Sequence, residues 1–327
     1  MIGLRWVVVI GVFVAVALLA VAVSVGAVSL APAEVWRALR GVGDPTQVAI
    51  VRDLRVPRAL LAALVGAGLS LSGSALQGTL RNALAEPYLL GVSGGAAVGA
   101  VIATAVGVAS PTVITVSAFA GAAAATALVS LIARVVGGGT DSRLLLMAGV
   151  VVGAFCNAAI LIALADAPPE RLRGALWWMM GSVADATWSS VLRLFVMVVG
   201  LGALLVRWAR ELDVLAMGDE AAAALGVDAH RAARRIFLVA SWLAAATVAA
   251  AGLVGFVGLV MPNMARALGA RRQRAVSLVA ALYGAALMIG ADLLARTLRA
   301  PADLPLGAVT ALIGVPFFLL RLRRLER

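Results

Sequence analysis

Few side chains in this sequence could do covalent or acid–base chemistry. His230 is the single histidine and Cys156 the single cysteine, so an intrachain disulfide, a His-rich metal site and a triad built on several histidines are excluded. All 27 basic residues are Arg. Without Lys, a Gly-x-x-x-x-Gly-Lys-Ser/Thr phosphate loop cannot form, and any ATP hydrolysis must belong to another chain. Asp166, Glu170 and Asp185 gather around 166–185, but Pro168-Pro169 among them marks a structured connector rather than a catalytic pocket. Asp292 lies in an apolar run four residues before Arg296, the spacing of an ion pair along a helix. Arg52, Arg55 and Arg58 recur every three residues and would share one helix face. Such arginines either snorkel to headgroups or offer a docking site to an acidic soluble protein.

The elements that position these groups must be membrane helices. The chain is 63% hydrophobic and 13% charged, with mean hydropathy +1.05, against roughly 25% charged residues in soluble domains. No soluble core could hide this much apolar surface, so the surrounding solvent is a lipid bilayer. The net charge of +11 could suggest nucleic acid, but the arginines stand at the ends of apolar runs, the pattern of membrane topology. No nucleic-acid partner is expected.

The candidate spans are about 5–30, 56–80, 89–107, 112–135, 143–165, 190–208, 235–256, 276–298 and 305–320, with a half-length helix near 259–268. Their apolar stretches are continuous rather than alternating, so the fold expected is an all-α polytopic bundle of about ten transmembrane helices, a single domain over 1–327. The first run exceeds the roughly 7–15 apolar residues of a signal peptide and reads as an uncleaved helix. With the N-terminus in the cytoplasm, 17 of the 27 arginines fall on the cytoplasmic side, and both termini are cytoplasmic.

Gly66, Gly68, Ser70, Ser72, Gly73 and Ser74 crowd one span, and Gly91, Gly94, Gly95 and Gly99 follow; small faces let membrane helices pack backbone to backbone. The region 211–235 is polar. Within it, Gly218-Asp219-Glu220 leads through Ala224-Leu225 to Gly226, which predicts a short cytoplasmic helix capped by Asp219 and closed by Gly226. A preformed helix outside the membrane is a good partner surface.

Several stretches together are similar to one family. Arg55-Val-Pro-Arg58, Gly73 to Gln77, Asn82 to Pro87 with Gly91-Val-Ser-Gly94, Trp178-Met-Met-Gly181-Ser182, Met217 to Gly226, Gly255 to Pro262, Ala291-Asp292, Leu304 to Gly307 and Gly314-Val-Pro-Phe317 span about 55–320. In order and spacing they resemble the FecCD-type permeases of ABC importers for iron-siderophores, haem and cobalamin. Two positions depart from the family pattern: Ala83 stands where a proline is usual, and Asn263 where a histidine is usual.

The resemblance implies a cobalamin-importer-permease-like (type II importer) bundle in the inner membrane. It implies a homodimer working with two ATP-binding cassette ATPase subunits and a periplasmic substrate-binding protein. Arg55, Arg58 and Arg296 would dock the binding protein. Gly218, Asp219, Glu220, Ala224, Leu225 and Gly226 would form the coupling helix against the ATPase. Asn82, Leu84, Thr140, Asp141 and Ser142 would sit at the cytoplasmic gate. Asn157, Trp178, Met179 and Met180 would line a central path between two copies. The chain itself would bind no cofactor; ATP and Mg would be used by the partner ATPase.

The alternatives weighed are an ion-gradient-driven secondary transporter, for which only Asp292 is a deep ionisable candidate, and an intramembrane enzyme using the 166–185 acids. The iron-siderophore is the leading cargo.

Overall fold

The structure is a computed structural model and describes residues 3–26, 28–137 and 142–325. Its helices are α1 Leu4–Ser24, α2 Pro32–Leu39, α3 Pro45–Ala49, α4 Val56–Thr79, α5 Val92–Ala105, α6 Pro111–Gly137, α7 Ser142–Ala165, α8 Pro169–Met179, α9 Trp188–Arg207, α10 Ala209–Leu215, α11 Asp219–Ala224, α12 Ala229–Ala251, α13 Val257–Ala267, α14 Gln273–Thr297 and α15 Leu306–Leu325. A π-helical turn, Ile50–Arg55, joins α3 to α4, and a 3₁₀ turn, Pro87–Leu90, precedes α5. No strand occurs among the described residues.

Among the described residues, seven helical stretches are long and apolar enough to cross a bilayer. The shorter α5 and α15 and the 11-residue α13 bring the bundle to the ten helices expected. One end of the bundle carries α2 and α3; the opposite end carries α10 and α11.

The centre is α4, buried over most of its length and packed against α14, α12, α13 and α9. Small residues make this possible. A Cβ on Gly66 would lie 2.0 Å from the Gly284 carbonyl oxygen, so α4 and α14 touch backbone to backbone. Gly95 and Gly121 hold α5 against α6 in the same way. By contrast α1 buries few residues and presents Phe13 and Val16 outward, as a lipid-facing helix should.

Three expectations are corrected. The first helix ends at Ser24 rather than near residue 30, because its last carbonyls find side-chain partners: Arg296 donates to Ala22 O (2.6 Å), and Arg55 to Val23 O (3.1 Å) and Ser24 O (2.6 Å). Arg52, Arg55 and Arg58 do not share a face. The wider π turn breaks the three-residue register, leaving Arg52 exposed, Arg55 buried and Arg58 half-buried. Asp219 is the first residue of α11 rather than its cap, which is Gly218. The close of α11 is as expected: Gly226 is left-handed (φ 76°), with Gly226 N donating to Ala223 O and Val227 N to Ala222 O.

Candidate functional site

Among the described residues, the buried charged and amide side chains form two groups, one toward each end of the bundle. The group toward the α11 end begins with a missing hydrogen bond in α13. Pro262 has no N–H, so the Gly258 carbonyl four residues earlier loses its helical donor. Inside a membrane protein such a carbonyl must be satisfied by a neighbour. Gln77 of α4 does this, donating from Nε2 to Gly258 O (3.3 Å) and Leu259 O (3.2 Å). Its own Oε1 accepts from Arg266 Nη1 at 2.7 Å. The approach is close because Gly73 lies against Gly258, where any Cβ would sit 2.0 Å from a carbonyl oxygen.

The segment between α4 and α5 is tied to the same half-helix. Asn263 donates from Nδ2 to Ala83 O at 3.0 Å, and Glu86 accepts from Phe256 N–H at 2.6 Å, at the positive end of α13. Asn82 accepts from Leu84 N (2.9 Å) and fixes the turn. Arg81, left-handed at φ 48°, pairs with Asp219 of α11. A continuous set of polar contacts therefore runs from α11 through Arg81 and the 80–86 turn to the start and the middle of α13. Beside it, Gln273 donates from Nε2 to Ser74 O (2.8 Å), and its backbone N–H donates to Asp213 Oδ1 (2.8 Å). Outside this set, α11 leaves Glu220 and Ala224 exposed, and Met217 and Leu225 flank it at 67% and 59% exposure.

The group toward the α2 end joins three helices. Arg58 donates to Asp292 Oδ1 and to Asp303 Oδ2, both at 2.9 Å. Arg296 Nε lies 3.6 Å from Asp292 Oδ2, too long for a hydrogen bond but within ion-pair range. Arg55 donates to the α1 carbonyls and to Val28 O. These contacts pin the end of α1 to α4 and α14.

The placement of the docking arginines differs from expectation. Arg55 is 5% and Arg296 8% exposed, and their guanidinium groups face backbone carbonyls and Asp292 rather than solvent. Charged groups so buried must be satisfied internally. Of the three, only Arg58 keeps part of its surface, and it holds two acids. Among the arginines exposed at this end are Arg37, Arg40, Arg52 and Arg299 near α2 and α14, and Arg171, Arg173 and Arg193 on α8 and α9.

The path residues are partly brought together. The segment after α8 is clamped between α12 and α15: Ser182 N donates to Ala251 O (2.8 Å), Leu306 N to Gly181 O and Gly307 N to Met180 O (both 3.1 Å). Trp178 and Met179 are half-buried and Met180 is exposed beside them. Asn157 is exposed on α7 amid Phe155, Leu161 and Ile162 and does not join that segment's hydrogen bonds. Thr140 and Asp141 lie outside the described residues; Ser142 opens α7.

Sequence reasoning singled out Asn82, Leu84 and Asp219 but not Gln77, Arg81, Glu86 or Gln273 as site residues. The available signal was two glutamines at the ends of apolar helices, and a proline within the run that one of them serves.

Known proteins share this architecture. The chain is similar to the cobalamin import permease BtuC of Halobacterium salinarum, with 41% identity over 290 residues covering 88% of this chain and 76% of the relative. It is also similar to the hemin transport permease HmuU of Yersinia pestis, with 39% identity over 281 residues and 84% of both chains covered. Its fold matches a solved metal-chelate type ABC transporter in an inward-facing conformation, with TM-score 0.87, 29% identity, and 97% of this chain and 99% of that one covered. The pattern of the FecCD transport family matches residues 13–324, nearly the whole length, and the chain belongs to that family.

Proposed function

We propose that this chain is the membrane-spanning permease subunit of an ATP-driven importer of metal chelates, with an iron-siderophore as the leading cargo and haem or cobalamin as the others. The observation that carries this reading is the contact of α11 with the interior of the bundle. A six-residue helix outside the spans, flanked by exposed apolar side chains, is joined through Asp219 and Arg81 to the turn that holds α13. A surface built to receive a soluble partner and connected inward is what an external ATPase requires. The relatives that carry cobalamin and hemin, both metal chelates, support the cargo class.

In this reading the α11 end faces the cytoplasm, both termini lie there, and the membrane is the inner one. Residues 211–235 form the cytoplasmic loop of one permease domain. Two copies enclose the path, with α7, α8 and α15 toward it, and two ATPase subunits engage α11. ATP and Mg act in those subunits and the permease holds no cofactor. A substrate-binding protein lands on the α2 end, where the accessible positive charge includes Arg52, Arg299, Arg37 and Arg40. Arg55 and Arg296 act on docking only by shaping that end. Against the ion-gradient alternative stands the pairing of its one deep ionisable candidate, Asp292, with Arg58 and Arg296.

The test is gentle purification of the tagged chain from native membranes and identification of stoichiometric partners, followed by uptake in proteoliposomes. A co-purifying ATPase and ATP-dependent uptake of a ferric siderophore are expected. Uptake on an ion gradient alone, with no ATPase present, would overturn the reading.

A further inference from the structure

The structure contains a cavity of about 770 Å³, walled on one side by Trp177 and Trp178 of α8, to which the transport reading assigns no ligand. It lies between the first turns of α6 and α9 and the last turns of α5 and α12, alongside α8, all at the α2 end. Its floor is apolar and buried: Leu61, Leu194, Ala246 and Ala249. Alanines on α12, facing Phe119 of α6, leave the space. The cavity reaches from the start of α6 to Phe119, a depth of roughly 12 Å at 1.5 Å per residue.

Such a space is within the range of ligand pockets, about 300–1,000 Å³. Hydroxyls of Thr187, Ser189 and Ser190 line it at the start of α9, but the floor is apolar and gives water few partners, so the species that fits the floor is an acyl chain. The charged lining residues are at the mouth. Arg193 and Asp185 are both exposed, and neither makes an ion pair with any described residue. Arg193 lies one and a half turns below the start of α9, where a membrane helix meets headgroups. Trp177, 51% exposed, stands beside them as an interfacial aromatic.

We propose that this cavity is a binding site for a zwitterionic phospholipid, with one acyl chain over the α12 alanines, its phosphate on Arg193 and its ammonium on Asp185. One cation and one anion at the mouth complement a headgroup bearing both charges, and Arg matches phosphate geometry well. A headgroup with phosphate alone would meet Asp185 unfavourably. The inference requires only that the chain spans a bilayer and is independent of the cargo.

The experiment is native mass spectrometry of the purified protein in mild detergent, titrated with phosphatidylethanolamine or phosphatidylglycerol of matched chains. One phosphatidylethanolamine per chain is expected, bound in preference to phosphatidylglycerol. Arg193→Ala should weaken it about tenfold, the scale of one lost charge-assisted contact. Arg173→Ala, an exposed arginine on α8 outside the cavity, should leave it unchanged. Gly174→Leu should also reduce binding, because that position lines the cavity and a Cβ there meets only Thr104, at 3.6 Å. Arg193 is exposed and Ala favours helix, so circular dichroism should show the variant folded. Equal binding by wild type and Arg193→Ala, equal losses for Arg193→Ala and Arg173→Ala, or phosphatidylglycerol binding as well as phosphatidylethanolamine would each overturn the proposal.

Discussion

Gln77 supplies the donor that Pro262 removes. The proline leaves Gly258 O without a helical partner, and the Gln77 amide fills the place from a different helix. The pair is 185 residues apart in sequence, yet each explains the other: a proline inside a short buried helix is tolerable because an amide waits opposite it.

Gln77→Leu should therefore destabilise the protein by about 1–3 kcal/mol, the cost of a buried unsatisfied carbonyl. Adding Pro262→Ala restores a backbone N–H to Gly258 O and should recover part of the loss. Thermal unfolding in detergent, read by size-exclusion profile, checks both; strictly additive losses from the two changes would deny the pairing.

Arg81→Glu and Asp219→Arg should each impair ATP-driven uptake by the assembled importer severalfold, and the double exchange should recover most of it. Stability should barely change, since ion pairs this exposed contribute about 0–1 kcal/mol. Uptake per mole of folded complex is the measurement. Singles with normal uptake would separate α11 from the 80–86 turn.

Asp292→Asn removes the negative charge shared by Arg58 and Arg296 and leaves the buried Arg296 with its nearest partner charge gone. A loss of about 3–5 kcal/mol is expected, the scale of an uncompensated buried charge. The fraction that folds should keep ATP-dependent uptake. Retained stability together with lost proton dependence would instead mark Asp292 as a transport group of an ion-driven carrier.

Gly66→Ala should prevent the close approach of α4 and α14, because its Cβ would meet a backbone carbonyl that cannot move aside. Overpacking of this kind costs about 1–3 kcal/mol or more. The yield of monodisperse protein should fall. Gly153→Ala on α7, where a Cβ meets nothing within 4 Å, should be neutral.

The sequence by itself determined the solvent, the helical architecture, the number of helices in the bundle and the family, because a bilayer demands long apolar runs with internally satisfied backbones. It also determined α11 and its close at Gly226, though not its cap, which is Gly218 rather than Asp219. Only the tertiary structure decided which polar groups meet. Arg52, Arg55 and Arg58 read as one face on a regular helix, and a π turn scattered them. Arg55 and Arg296 read as surface charges at helix ends, yet they satisfy the last carbonyls of α1, a helix that sequence spacing does not place beside them. Gln77 and Arg81 look ordinary in sequence because their partners, Pro262 and Asp219, lie more than 130 positions away. Hydropathy records how each residue meets lipid or water, whereas these contacts depend on how separate helices are oriented against each other.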